Sequence, residues 1–227
     1  MSATRRVLRE QSLSIVFGLM LLATLAGQAF SGVADYNEHA RTAGLQEVSL
    51  WRYVTSSQYA VDVAENWQSE YLQFTLYILL TVWLVQRGSS ESKKPGESGR
   101  DSDERQLVGP HARASSPAWA RAGGWRTAVY SHSLVLVMGT IFVFSWAAQA
   151  MAGRVAYNEE RMRDLLDPVD LRGYLLTGGF WNRTLQNWQS ELLAIGSMAV
   201  FAIYLRERGS PESKPVGAPH NETTSDD

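Results

Sequence analysis

Two glutamates stand where an apolar helix tolerates them least. Glu70 and Glu191 each close the pentapeptide Asn-Trp-Gln-Ser-Glu (66–70 and 187–191), directly ahead of an apolar run. A carboxylate within a spanning segment costs roughly 2.5–3.5 kcal/mol at the bilayer centre and less near an interface. No basic residue lies in either run to pair with it. One chemistry this permits is a proton or cation site, with a carboxyl kept neutral by burial or by its twin. The other, favoured on economy, is a hydrogen-bond network at the helix mouth, with Glu bonded to Tyr, Asn or Gln of a neighbouring helix. Asn66, Glu70 and Gln73 share one helical face by their i, i+4, i+7 spacing. In the second pentapeptide the stripe shortens to Asn187 and Glu191, because position 194 is alanine. The candidate polar site therefore comprises Glu70, Glu191, Asn66, Asn187, Gln68 and Gln189. The two Tyr-Asn-Glu triplets join it: Tyr36, Asn37, Glu38 and Tyr157, Asn158, Glu159.

Catalytic sets are not legible. The chain has no cysteine, and none of its four histidines has metal-ligand spacing. Glu38, Glu70, Glu159 and Glu191 evoke a di-metal bundle, but that site needs Glu-x-x-His pairs, which are missing. A hard cation held by carboxylates and amides is a lesser alternative. We therefore expect no enzyme, no resident metal and no cofactor. With a net charge of −2 there is no basic excess to suit nucleic acid.

The elements that position these residues are apolar helices. Eighteen uncharged residues run from Leu13 to Phe30, and a second such stretch covers Leu134 to Ala152. Crossing a hydrocarbon core of about 30 Å takes ~20 helical residues. Shorter runs, Tyr71–Val85 and Leu192–Leu205, reach that length if their helices begin at Trp67 and Trp188, which suit an interfacial belt, with Arg87 and Arg208 closing the other end. Gln28 and Gln149 lie among small residues that include Gly32 and Gly153, a composition that lets helices approach and a glutamine bond across the contact. Helix 1 should continue through Asp35–Arg41, and new helices should start at Thr55–Ser57 and Thr177–Gly179. RGSxESK (87–93 and 208–214) reads as a helix stop, its arginine at the negative end of the dipole.

Sliding the chain by 121 residues superposes its two halves without a gap. GQAFSG falls on AQAMAG, YNE on YNE, NWQSE on NWQSE and RGSSESK on RGSPESK; about one position in three is identical between residues 10–96 and 131–217. Chance likeness of apolar helices does not keep such polar strings in register. The reading is an all-α membrane protein of two tandem hairpins in parallel repeat. The first hairpin occupies 10–96, with transmembrane helices at about 12–32 and 67–86. A flexible linker follows at 97–128. The second hairpin occupies 129–217, with helices at about 132–153 and 188–206, and a disordered tail ends the chain at 218–227. The repeat also argues against a cleaved signal peptide, since the Gln-Ala of the apparent cleavage site recurs at Gln149-Ala150.

Basic residues give the orientation. Fourteen Lys and Arg fall in the N-terminal tail, linker and C-terminal segment, against seven in the two connectors. The termini and linker should be cytoplasmic, and the connectors should form an exterior helical crown. The strings GQAxxGxxxYNE, NWQSE and RGSxESK resemble those of an uncharacterised family of bacterial integral membrane proteins, a domain of unknown function. The resemblance covers nearly all of the chain but the linker and tail. It implies a bacterial inner membrane and a duplicated two-helix hairpin, and it supplies no activity. The functional expectation is a non-enzymatic protein whose crown binds a protein partner or a second copy, with the lipid bilayer as its other partner. The alternative is a small oligomeric transporter or channel using Glu70 and Glu191.

Overall fold

A computed structural model describes residues 3–223 of the chain. In order come α1 (Ala3–Glu10), α2 (Ser12–Thr42), α3 (Leu50–Val54), α4 (Ser57–Trp83), α5 (Ala118–Ala122), α6 (Gly124–Ser131), α7 (Ser133–Arg163), α8 (Leu171–Leu175) and α9 (Gly178–Tyr204). No strand occurs among the described residues. Each of α6 to α9 begins and ends 121 residues after its counterpart in α1 to α4. The recurrence includes the joints. Gln11, between α1 and α2, and His132, between α6 and α7, share φ −115 with ψ of 17 and 7. It reaches further than the aligned sequence does, since α1 and α6 have only Arg5 and Arg126 in common.

Capping residues explain the connector helices. Ser49 Oγ accepts from the Arg52 amide at 3.3 Å, and Asp170 accepts from the Gly173 amide at 2.7 Å. Ser56 Oγ accepts from the Tyr59 amide and Thr177 Oγ1 from the Phe180 amide, at 3.3 and 3.2 Å, opening α4 and α9. Such a cap contributes about 1 kcal/mol by satisfying a donor that the helix start leaves free. At the other end, α2 runs through Asp35–Arg41 to Thr42 and stops ahead of Gly44, whose φ of +69 suits glycine. The equivalent residue after α7 is Leu165, at φ +58 and 94 % exposed. A leucine held there costs roughly 1–2 kcal/mol relative to ordinary backbone.

Only α2 and α7 are long and apolar enough to cross a membrane by the combined criterion of length and hydropathy among the described residues. Just 6 % and 11 % of their most apolar windows are buried. The core helix of a water-soluble domain would cover most of that surface; these leave Leu13, Phe17, Leu22, Val143 and Phe144 more than half exposed. Each of α4 and α9 has 27 residues, about 40 Å at 1.5 Å per residue.

Three boundaries differ from those expected. The helices proposed for 67–86 and 188–206 end at Trp83 and Tyr204, so RGSxESK does not terminate them. Arg206 supplies the C-terminal cation for α9 instead, its Nη1 donating to the carbonyls of Ala202 and Ile203 at 3.3 and 3.1 Å. RGSxESK is a serine-pinned turn in both halves: Ser92 and Ser213 accept from the amides of Gln86 and Glu207, and Ser89 and Ser210 from those of Glu91 and Glu212. Serine hydroxyls offer the backbone an alternative to helical bonds, and here they hold the turns that follow the helices. Secondly, the segment read as a flexible linker contains a 3-10 turn at Gly109–His111, α5 and most of α6, with Trp119 and Trp125 edge to face at 5.8 Å. Thirdly, the tail is packed as far as it is described. Lys214, 2 % exposed, donates to the carbonyls of Pro219, His220 and Glu222, and Thr223 accepts from the Gly88 amide. Burial, with the charge of Arg206 behind it, holds the Lys214 ammonium below the ordinary lysine range. Residues 224–227 of that tail lie outside the described residues.

The chain divides into two compact units, Met1–Val63 with Met151–Pro168, and Ala64–Ala150 with Val169–Asp227.

Candidate functional site

In the first unit, Asn37 fixes the connector to the end of α2. Its Nδ2 donates to the Val48 carbonyl at 2.9 Å and its Oδ1 accepts from the Val48 amide at 2.8 Å. Both backbone groups of one residue are thereby satisfied by one side chain, and α3 follows directly. Tyr53, on α3, is buried and lies between two other tyrosines. Its ring is 5.9 Å from that of Tyr36 and 5.6 Å, edge on, from that of Tyr59. Burial, then the charges of Asp62 and Asp35, push the Tyr53 hydroxyl above its ordinary range. The ring rests against Gly32, where an added Cβ would overlap both the hydroxyl and the ring carbons. Glycine is required there by close approach, as a packing position demands.

This framework borders an open cavity of ≈ 470 Å³, lined by Tyr36, Tyr53 and Ser56 and by three ionic residues, Arg52, Glu159 and Arg163. Arg163 Nη2 donates to the Tyr36 hydroxyl at 3.4 Å, and Ser57 Oγ donates to Glu159 Oε1 at 3.2 Å. Glu38 is exposed, with its backbone carbonyl accepting from Thr42. Tyr157 lies under the Arg161 guanidinium, 5.8 Å from the ring centre, and Asn158 is half-buried. Gln28 is half-buried and Gly153 buried.

The second unit holds a buried polar pair of contacts among aromatic rings. Gln68, wholly buried, accepts from Trp188 Nε1 at 2.7 Å, and Gln149, 1 % exposed, donates to Thr184 at 3.4 Å. Trp146 stands among Phe142, Phe180, Trp181 and Trp188, with ring centres 5.7–6.5 Å apart. Three polar atoms there are buried and unpaired: Gln68 Nε2, Gln149 Oε1 and Trp146 Nε1. Gln189, the counterpart of Gln68, is exposed, so the two pentapeptides are not equivalent. Asn187 donates to the Arg183 carbonyl, Asn66 is exposed, and Arg183 pairs with Glu65 at 2.8 Å. Glu70 is exposed and Glu191 half-buried, with Ser190 Oγ donating to Glu191 Oε1 at 3.5 Å. Asn37 commits its side chain to Val48 rather than to a glutamate.

Arg52, Arg163, Trp146 and Thr184 escaped the sequence reading. A signal existed: their counterparts are Gly173, Thr42, Leu25 and Val63, so each is a polar or aromatic residue present in one half alone. Among the described residues no group of three or more His, Asp or Glu is placed to hold a metal ion.

The fold is that of an all-helical protein with two helices suited to crossing a membrane. The chain belongs to the family described as Domain of unknown function (DUF6766), which matches residues 4–225. No curated protein and no solved structure matches it.

Proposed function

We propose that the chain is a four-span protein of the bacterial inner membrane, built from a duplicated hairpin, whose two exterior connectors bind a protein partner or a second copy without enzymatic chemistry. The uncovered apolar surfaces of α2 and α7 support the bilayer as solvent, and the fourteen-to-seven basic asymmetry supports exterior connectors. One observation carries the binding role. Beyond the expected spans the connectors hold large apolar side chains out to water: Trp51 at 76 % exposure, Leu165 at 94 % and Leu176 at 75 %. The other half has Arg172, Gly44 and Thr55 at these positions, so the duplicated scaffold does not require them. Leu165 stands there despite its unfavourable backbone. Exposed apolar groups of this kind suit an interface better than solvent.

A photo-reactive residue replacing Trp51 or Leu165 in intact cells should give a discrete covalent adduct, with either a second copy or one other protein. Absence of any adduct from both positions would contradict the binding role. The second reading, a transporter, draws support from the position of Glu70 and Glu191 at the head of apolar runs that carry no basic partner. It requires proton or cation flux in proteoliposomes that Glu70→Gln and Glu191→Gln abolish; the binding role predicts no flux above empty vesicles.

A further inference from the structure

The cavity of the first unit presents charges of both signs that do not pair with each other. Arg52 and Arg163 line it together with Glu159, yet no ion pair joins either arginine to the glutamate. Arg163 makes one long hydrogen bond, to the neutral Tyr36 hydroxyl. The Arg52 guanidinium bonds nothing among the described residues, and Glu159 accepts only from Ser57. All three are exposed, where an ion pair between them would contribute little, so each remains available to a ligand. With Tyr36, Tyr53 and Val48 they line a cavity of ≈ 470 Å³, within the size range of small-molecule sites.

The duplication serves as an internal control on what the framework needs. Tyr36, Asn37, Val48 and Tyr53 recur as Tyr157, Asn158, Val169 and Tyr174, whereas Arg52 and Arg163 are replaced by Gly173 and Thr42. The residue types of the framework thus occur twice in the sequence, and the two arginines once. A guanidinium offers a planar fork of donors that fits a carboxylate. The carboxylate of Glu159, bonded to Ser57 but to no cation, fits an ammonium. Aromatic rings of Tyr36 and Tyr53 supply apolar wall between them.

We propose that this cavity binds a small zwitterion of the amino-acid class, its carboxylate on Arg52 and Arg163 and its ammonium on Glu159. Access from outside the cell rests on the exterior placement of the connectors; the binding itself does not. No bond is made or broken, and the site is one of recognition.

The test uses the full chain purified in detergent, where both faces are accessible. Isothermal titration is run with L-alanine, L-glutamine and L-leucine, and with acetate and ethylamine as the two half-ligands. At least one amino acid should bind saturably, and each half-ligand should bind about tenfold more weakly or worse, since each leaves one charge of the site unmatched. Arg52→Gly, Arg163→Thr and Glu159→Gln should each weaken the amino acid about tenfold or more while leaving the unfolding temperature near that of the parent. The first two install residues that the other half already carries at those positions. If Arg163→Thr disturbs the fold through Tyr36, Arg52→Gly decides alone, because its guanidinium supports nothing else. Binding of none of the three amino acids overturns the proposal, as does acetate binding as tightly as they do, or Arg52→Gly binding as well as the parent. Binding in detergent together with reversed sidedness in cells would leave this site standing and remove the exterior reading; correct sidedness without binding would do the opposite.

Discussion

Phe180→Ala should lower the stability of the chain in detergent by about 3–5 kcal/mol, the range for truncating a buried phenylalanine. Phe180 is 2 % exposed and sits at the start of α9, its ring 5.4 Å from those of both Tyr174 and Trp181. Removing it empties the space between α8, α9 and Trp146, which rigid rings cannot close by small adjustments. Phe180→Leu keeps most of the volume and should cost about 1–2 kcal/mol. Thermal or denaturant unfolding followed by tryptophan fluorescence reads both. A loss under about 1 kcal/mol for the alanine variant would mean that the aromatic cluster does not hold this unit together.

Asn37→Ala should cost about 2–3 kcal/mol by removing two hydrogen bonds and leaving both backbone groups of the half-buried Val48 without partners. Asn37→Asp keeps the acceptor for the Val48 amide but replaces the donor with a second oxygen facing the Val48 carbonyl. Its cost should fall between those of the parent and the alanine variant when the carboxyl is protonated, and should rise as the pH increases and the carboxylate forms. The same unfolding measurement across pH checks this. A pH-independent aspartate variant would show that the carbonyl is not held against this side chain.

Much of the scaffold was legible because the features that specify it are local or periodic. The apolar parts of α2 and α7 follow from unbroken uncharged runs, and the extension of α2 through Asp35–Arg41 from the lack of a breaker before Gly44. The starts of α4 and α9 follow from capping residues, Ser56 and Thr177, that act on amides three residues away. The recurrence at 121 residues follows from polar strings that survive in register. What escaped is non-local. RGSxESK reads as a helix stop, but nothing near Ser92 announces that its hydroxyl will reach back to the Gln86 amide, beyond a helix already ended at Trp83. Lys214 looks like one more tail cation until three carbonyls surround it. Gln68 and Gln189 are identical in sequence context, yet one is buried against Trp188 and the other exposed, because burial depends on what the other helices bring. The cavity is illegible for a related reason: Arg52 and Arg163 belong to one half alone, so the repeat does not point to them.

If the proposed topology holds, both connectors should lie outside the membrane and the linker and tail inside. The chain has no cysteine, so single cysteines can be introduced without background. Ala43, Ser98, Asp164 and Gly217 are all exposed positions. In intact cells an impermeant thiol reagent should label cysteine at Ala43 and at Asp164, and should reach cysteine at Ser98 and Gly217 only after the membrane is opened. Labelling at Ser98 with protection at Ala43 would invert the orientation. Ala43 and Asp164 on opposite sides would contradict the four-span duplicated hairpin itself.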